Sequence, residues 1–233
     1  MTEAKLLTHR SDGILTLTLN RPGKLNAIDN ELTEALLAAL GLAATDSSVR
    51  AICLRGNGRA FCAGRDVSAA PTDRDLELVQ SVACAIVENP KPVLAAVHGW
   101  TVGAGLEWAL DADIVIASDD ARFKLPEASL GVFVTGGLVA TLPAAVGLAR
   151  AKTMLLLGEE VSARQAAEWG LVAKVVVAAE LDNAAQEACR RLAALEPRVA
   201  AQFKRVLNMF GQNEFRRAVA EESSVQRALS GSI

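Results

Sequence analysis

The chain of 233 residues has no tyrosine, two histidines and four cysteines. Because histidine is the commonest protein ligand of transition metals, His9 and His98 alone argue against a histidine-based metal site. The four cysteines form no CxxC pair, and three of them lie in apolar segments. We read them as reduced thiols, which predicts a cytoplasmic protein. No GxSxG elbow is present, which argues against a serine hydrolase of the α/β-hydrolase type.

Neither sign of charge is in large excess, because the chain has 24 Lys and Arg and 27 Asp and Glu, which gives a net charge of −3. This balance gives no electrostatic reason to expect nucleic acid or an anionic membrane as a partner. The longest weakly charged run, residues 92–110, contains Pro92, Glu107 and three glycines. It therefore reads as a buried strand, turn and helix and not as a membrane span. The first ten residues lack the pattern of a signal peptide.

Hydrophobic residues make up 51% of the chain, enough for a large core. Apolar alternation in GILTLTLN predicts a strand, and VRAICLRG, KPVLAAVHG, DIVIAS and LVAKVVV predict others. Helices are predicted at 29–44, 75–88, 103–110, 136–146, 149–157, 162–170, 180–195, 197–210 and 213–229. Because strands largely cease after Val177, we expect an α/β core over residues 1–180 and a helical C-terminal region over residues 181–233.

Glu107, in the stretch VGAGLEW, is the only charged side chain between Lys91 and Asp111. A carboxylate taken from water without partners costs on the order of several kcal/mol, so such groups are usually paired or shifted in pKa. Glu127 lies in a similar apolar setting, one strand and a short loop later. Two carboxylates in one dry site cannot both ionise easily, which suits general acid–base chemistry. Spacing alone favours the alternative of two solvated side chains at the ends of elements.

Nearby glycines strengthen the interpretation that Glu107 and Glu127 carry out general acid–base chemistry. VGAG, directly before Glu107, places backbone N–H groups at a helix N-terminus beside the carboxylate. A second glycine loop, FCAGRD, follows a strand and offers a second donor. Two such donors are able to stabilise an oxyanion.

Five segments of the chain follow one another in this order: LNRPGKLNAID, AFCAGRDV, NPKPVLAAVHGWTVGAGLEWALDADIVIAS, ARFKLPEASLGV and LLLGEEVSARQAAEWGLVAKVV. Together they resemble the enoyl-CoA hydratase/isomerase, or crotonase, family over residues 10–230. The resemblance implies an α/β fold of the ClpP/crotonase type, a spiral of repeated ββα units with a helical C-terminal trimerisation region. It also implies a homotrimer or a hexamer that is a dimer of trimers.

The resemblance further implies a hydro-lyase acting on 2-enoyl-CoA thioesters. The thioester oxygen would lie in an oxyanion hole made by the backbone N–H groups of Arg65 and Ala104. Glu107 would accept a proton from the water that adds to the β carbon, and Glu127 would protonate the α carbon. Coenzyme A enters as part of the substrate, and neither a prosthetic group nor a metal is expected. The segments matching the coenzyme A site contain Lys24, Leu25, Ala27, Ala63, Arg65, Asp66 and Val67.

Several departures from the family pattern concern the acyl pocket. The run GVFVTGGLVATLP follows Glu127 where many members have a different turn, which changes the pocket wall. We assign Trp108, Phe133 and Val134 to this pocket, although the position of Trp108 next to Glu107 favours a core residue. The segment between Asp66 and Pro90 is short, and many members continue into one more C-terminal helix, so the region 181–233 is expected to be shortened.

Three alternatives accompany hydration. Isomerases of the family often keep one of the two glutamates, so Glu107 and Glu127 together favour a hydratase. Family lyases that act on hydroxycinnamoyl-CoA rely on tyrosines, which this chain lacks. A protein that binds CoA thioesters without catalysis is the third possibility, and the intact glutamates argue against it.

Overall fold

The computed structural model describes residues 4–68, 72–212 and 214–230. Strands and helices are numbered in chain order. The larger sheet consists of β1 (Leu6–Ser11), β2 (Ile14–Leu19), β3 (Ala51–Gly56), β5 (Val93–Val97), β7 (Ile114–Ser118) and β10 (Lys174–Val176), in that spatial order. β1 and β2 form an antiparallel hairpin, and every other neighbouring pair is parallel.

A smaller sheet contains β4 (Ala60–Cys62), β6 (Trp100–Val102), β8 (Arg122–Lys124) and β9 (Val161–Ser162), again in that order. β4, β6 and β8 are parallel, whereas β9 runs antiparallel to β8. Their carboxyl ends therefore meet at one edge of the smaller sheet, which is where the candidate site lies.

The helices are α1 (Asn30–Thr45), α2 (Asp73–Val87), α3 (Ala104–Asp111), α4 (Leu138–Val146), α5 (Leu148–Leu157), α6 (Ala163–Trp169), α7 (Leu181–Ala193), α8 (Pro197–Gly211) and α9 (Phe215–Ser230). β3, β4 and α2 form one ββα unit, and β5, β6 and α3 form the next. In each unit the first strand joins the larger sheet and the second joins the smaller one. The predicted spiral of ββα units is therefore confirmed.

Two helix starts follow directly from the sequence. The side chain of Asp29 accepts a hydrogen bond from the backbone N–H of Leu32 (3.0 Å) and so caps α1. At α6, Ser162 and Gln165 form a reciprocal capping box. The helix ends before Gly170, whose φ of +82° is the left-handed conformation that glycine adopts without strain.

The C-terminal helices are anchored to the α/β core. α7 lies against β3, β5 and β7, where Leu181, Ala185 and Cys189 are buried. α8 is held by Lys204, whose ammonium group donates to Asp113 (2.8 Å) and to the carbonyl of Ile86 (2.9 Å). α9 lies against α2 and α4. The division of the chain at residues 180 and 181 stays a prediction, since α7 covers one face of the larger sheet.

All four cysteines are buried free thiols. Within the described ranges, no helix combines the length and the apolar character needed to cross a membrane.

Candidate active site

Three loops converge at the carboxyl ends of β4, β6 and β8. β4 leads into Ala63–Arg65, β6 leads into Gly103 and the start of α3, and β8 leads into the 3-10 turn Glu127–Leu130. Because these strands are adjacent and parallel, segments about 20 to 60 residues apart in sequence come together in space.

The first two loops are in close contact because they contain glycine. A Cβ on Gly64 would lie 2.9 Å from the carbonyl oxygen of Val102, and one on Gly105 would lie 2.6 Å from the Cβ of Cys62. Real Cβ atoms do not approach neighbours so closely. Glycine at these positions therefore allows the two segments to pack directly against each other.

The backbone directions fit the predicted pair of N–H donors. Ile28 forms a parallel bridge with Arg65, in which Ile28 N–H donates to Gly64 (2.8 Å) and Asp66 N–H donates to Ile28 (2.8 Å). The neighbours of Arg65 make this bridge, so the N–H of Arg65 points to the other side, toward β6. Ala104 is the first residue of α3, and its N–H has no carbonyl partner within the helix.

Glu107 lies in the first turn of α3 and is 1% exposed. Its carboxylate accepts hydrogen bonds from the Thr135 N–H (3.1 Å), the Thr135 hydroxyl (3.2 Å) and the Gly136 N–H. Burial raises the pKa of Glu107 to about 7, and these three donors oppose the rise because they favour the charged form. The single charge in this apolar stretch of the sequence is thus a buried carboxyl group that accepts hydrogen bonds from the turn at Thr135 and Gly136.

Glu127 faces the same space from the third loop. Its Oε2 is buried and accepts no hydrogen bond from the residues that the structure describes. Its Oε1 lies against Gly103, where an added Cβ would approach it to 2.6 Å. Burial and, secondly, the negative charge of Glu107 raise the pKa of Glu127 to about 8. The two carboxyl groups therefore disfavour a doubly ionised state.

A cavity of about 310 Å³ lies between these groups. Seven residues assigned to the site from the sequence line it: Ala63, Arg65, Val67, Ala104, Glu107, Glu127 and Phe133. Asp66 lines a neighbouring cleft together with Arg65 and accepts hydrogen bonds from Arg21 (3.0 Å), beside Asp29. This cavity is thus lined by the two residues with the predicted N–H donors, by both glutamates and by Phe133 of the predicted acyl pocket.

Two residues assigned to the acyl pocket lie elsewhere. Trp108 is completely buried in the core, where its indole N–H donates to the carbonyl of Val79 (3.2 Å). Val134 is 3% exposed and packs in the same core. Neither residue lines the cavity. Trp108 follows Glu107 by one helical step of about 100° and therefore points away from it, and the side chain of Val134 is taken up by the core. The assignment of these two residues to the pocket wall was wrong.

The loop at residues 22–28 supports the site without lining the cavity. Lys24 is exposed, and Ala27 is buried. Leu25 adopts a φ of +49°, and its carbonyl accepts a hydrogen bond from Ala63 N–H (3.0 Å). This contact ties the loop at residues 22–28 to the loop that contains Arg65. A role of these three residues in holding coenzyme A stays a prediction.

Among the residues that were not predicted, three bear on the position of Glu107 or on the cavity wall. Thr135 and Gln226 line the cavity, and Glu222, next to them on α9, is buried. The sequence signal for Thr135 was a hydroxyl and two glycines inside an apolar run, in VTGG. Glu222 and Gln226 gave no signal, because α9 has many charged and polar residues among which they do not stand out.

Comparison with known proteins shows which family has a similar sequence. Residues 9–231 match the family model described as enoyl-CoA hydratase/isomerase. The chain is 39% identical over 198 residues to 1,2-epoxyphenylacetyl-CoA isomerase of Escherichia coli, covering 81% of this chain and 76% of that protein. It is 38% identical over 177 residues to 2,3-dehydroadipyl-CoA hydratase of the same organism, covering 74% and 69%.

Among solved structures, an enoyl-CoA hydratase from Mycobacterium avium subsp. paratuberculosis superimposes with a TM-score of 0.92 at 33% identity, covering 97% of this chain and 90% of that one. The predicted crotonase fold is therefore confirmed. The chain belongs to the enoyl-CoA hydratase/isomerase family.

Proposed function

We propose that the protein hydrates the double bond of a 2-enoyl-CoA thioester to give a 3-hydroxyacyl-CoA. The observation that carries this proposal is the pair of buried carboxyl groups, Glu107 and Glu127, lining one cavity beside the loops of Arg65 and Ala104. Hydration needs a base for water, an acid for the α carbon and donors for the enolate oxygen. The cavity offers a candidate for each of these roles.

In the proposed reaction, the thioester oxygen accepts hydrogen bonds from the N–H groups of Arg65 and Ala104. Glu107 removes a proton from water as its oxygen bonds to the β carbon, and electrons of the double bond move onto the thioester oxygen. Glu127, protonated, then donates its proton to the α carbon. With pKa values near 7 and 8, the pair holds one proton over a range around neutrality, as these opposite roles require.

Coenzyme A is proposed to enter as part of the substrate, with no prosthetic group. We further propose a cytoplasmic protein of acyl-CoA metabolism that assembles as a homotrimer or hexamer. The apolar face of α8 supports assembly, because Val199, Phe203 and Phe210 are 52%, 65% and 76% exposed. Sedimentation should give a trimer or hexamer at micromolar concentration, and a stable monomer would contradict this part of the proposal.

Isomerisation on the same scaffold is the second candidate, because the family model that matches is described as enoyl-CoA hydratase/isomerase. Crotonyl-CoA and a 3-enoyl-CoA separate the two reactions. We expect the purified protein to remove the conjugated absorbance of crotonyl-CoA through addition of water. Conversion of the 3-enoyl-CoA with no hydration of any 2-enoyl-CoA would favour the isomerase. Tight binding of acyl-CoA without either reaction would favour a non-catalytic protein.

Gly136→Ala should lower kcat at least ~10²-fold, because misplacing a catalytic group by about 1 Å has effects of this size. A Cβ on Gly136 would lie 2.7 Å from Glu107 Oε2 and 3.1 Å from Glu107 Cβ, so the carboxylate has to move. Steady-state kinetics with an enoyl-CoA measure the loss. Gly41→Ala, on α1 with no atom within 4 Å of the added Cβ, is the matched control and should leave kcat unchanged. Wild-type kcat in Gly136→Ala would show that the position of Glu107 does not limit the reaction.

A further inference from the structure

We propose that Glu222, on the C-terminal helix α9, is a positioning residue that holds the turn Thr135–Gly137 and, through it, the carboxylate of Glu107. This inference rests on the proposed function, in which Glu107 acts on water. Glu222 lies outside the cavity, and the proposed chemistry does not use it.

The hold of Glu222 on the turn is direct. Its side chain is 1% exposed and accepts hydrogen bonds from Gly137 N–H (2.6 Å) and Val139 N–H (2.9 Å). These donors lie at the N-terminal end of α4, whose first N–H groups have no partner inside the helix. One carboxyl group from a distant part of the chain thus fixes the point where the turn becomes a helix.

The same turn holds Glu107 from its other end. Thr135 N–H, the Thr135 hydroxyl and Gly136 N–H all donate to the carboxylate of Glu107. The three consecutive N–H groups of Thr135, Gly136 and Gly137, together with that of Val139, therefore donate to two buried carboxyl groups on different helices. Because Gly136 and Gly137 have no side chains to fix the backbone, these hydrogen bonds set its conformation.

Two further contacts of α9 support the turn. Gln226 lies one helical turn after Glu222, lines the cavity and accepts a hydrogen bond from Phe133 N–H (2.6 Å). The ring of Phe215 packs on Gly137, where an added Cβ would meet it at 2.2 Å. α9 thus fixes residues 133–139 at three points, and Glu222 provides the hydrogen bonds to Gly137 and Val139.

Glu222→Gln tests the proposal with almost no change in shape. The amide has one oxygen, so one of the two N–H groups loses its acceptor and faces an NH₂ group instead. We expect kcat for an enoyl-CoA to fall about 10- to 100-fold, with KM changed less than about threefold, because the loss lies in the orientation of Glu107. Glu221→Gln, the exposed neighbour on α9, is the matched control and should retain wild-type kcat.

A double-mutant cycle distinguishes positioning from a general loss of stability. Thr135→Val removes the hydroxyl that donates to Glu107. If Glu222 acts through this turn, the kcat loss of the double variant should be much smaller than the product of the two single losses. A kcat loss in the double variant equal to the product of the two single losses would overturn the proposal. So would a kcat of Glu222→Gln within twofold of the Glu221→Gln value.

Hydrogen exchange provides a readout that does not depend on the reaction. Amides in peptides covering residues 133–140 should exchange at least about tenfold faster in Glu222→Gln than in Glu221→Gln, with the rest of the core unchanged. Absence of turnover in the wild type would defeat the proposed function, while unchanged exchange in these peptides would defeat the role of Glu222. If Glu222→Gln fails to fold, Glu222→Asp replaces it, since its shorter side chain keeps the charge but reaches fewer donors, and the same exchange comparison decides.

Discussion

Glu127→Gln should reduce turnover of an enoyl-CoA by about 10²- to 10⁴-fold, the range attributed to one general acid or base. In the proposed reaction Glu127 supplies the proton for the α carbon, which an amide does not replace. The amide has nearly the same shape and remains beside Gly103, so substrate binding should change little. The measurement is kcat and KM with an enoyl-CoA, and Glu159→Gln, at an exposed position, is the control.

The same substitution should increase stability, and the sign follows from linkage. The pKa of Glu127 is raised from 4.5 to about 8, so the folded protein holds this proton more tightly than the unfolded chain does. Its favourable contribution is present below pH 4.5 and is lost as pH rises toward 8. A neutral glutamine avoids that loss. We expect a gain of about 1–3 kcal/mol at pH 8.5 and almost none at pH 4, measured by urea unfolding.

Glu107→Gln should show the same two effects with a smaller gain in stability. Burial raises the pKa of Glu107 to about 7, a smaller shift, because Thr135 and Gly136 donate to its charged form. The glutamine also places an NH₂ group against one of these donors. Full activity in either glutamine variant would contradict the two-carboxylate reaction, and a loss of stability at high pH would contradict the linkage argument.

Long elements and local caps could be predicted from the sequence because their signals are local. The cap at Asp29, the capping box at Ser162 and the stop at Gly170 all occur where the residues indicate. The isolated charge at Glu107 also predicted its burial. Each of these features depends on residues within a few positions of one another.

The smaller sheet could not be predicted in the same way. β4, β6 and β8 have three residues each, too few for an alternating pattern, so the sequence does not distinguish them from the loops beside them. Yet these strands bring the three loops of the site together. For the same reason, the hold of Glu222 on Gly137, across 85 residues, is a tertiary contact without a local signal.

Two aspartates near the end of α3 should respond to the same substitution with opposite signs. Asp111 is 2% exposed, and neither carboxyl oxygen has a hydrogen-bond partner in the described ranges. Burial, followed by the charges of Glu107 and Glu222, holds the pKa of Asp111 well above its usual range. The folded protein therefore has to take up a proton that the unfolded chain releases above about pH 4.

Asp111→Asn removes this requirement and should stabilise the protein. The wild type loses stability through Asp111 as pH rises from its unfolded pKa toward its folded one, by at most about 1.4 kcal/mol per pH unit. The gain from asparagine should therefore be near zero at pH 4 and larger at pH 6 and pH 8 than at pH 4. Urea unfolding at these three values measures it, and a gain independent of pH would show that Asp111 is not the group that titrates.

Asp113→Asn should instead destabilise the protein by about 3–5 kcal/mol, the usual cost of leaving a buried ion without its partner. Asp113 accepts hydrogen bonds from Lys204 Nζ (2.8 Å) and from Val93 N–H (2.7 Å). Burial lowers the pKa of Lys204, and the attraction of Asp113 opposes that effect, so the ammonium depends on this carboxylate. Because Lys204 anchors α8, the loss should also expose the α8 amides to faster hydrogen exchange. Equal effects of the two asparagines would mean that burial alone, and not the presence of a partner, decides the stability of a carboxylate at this end of α3.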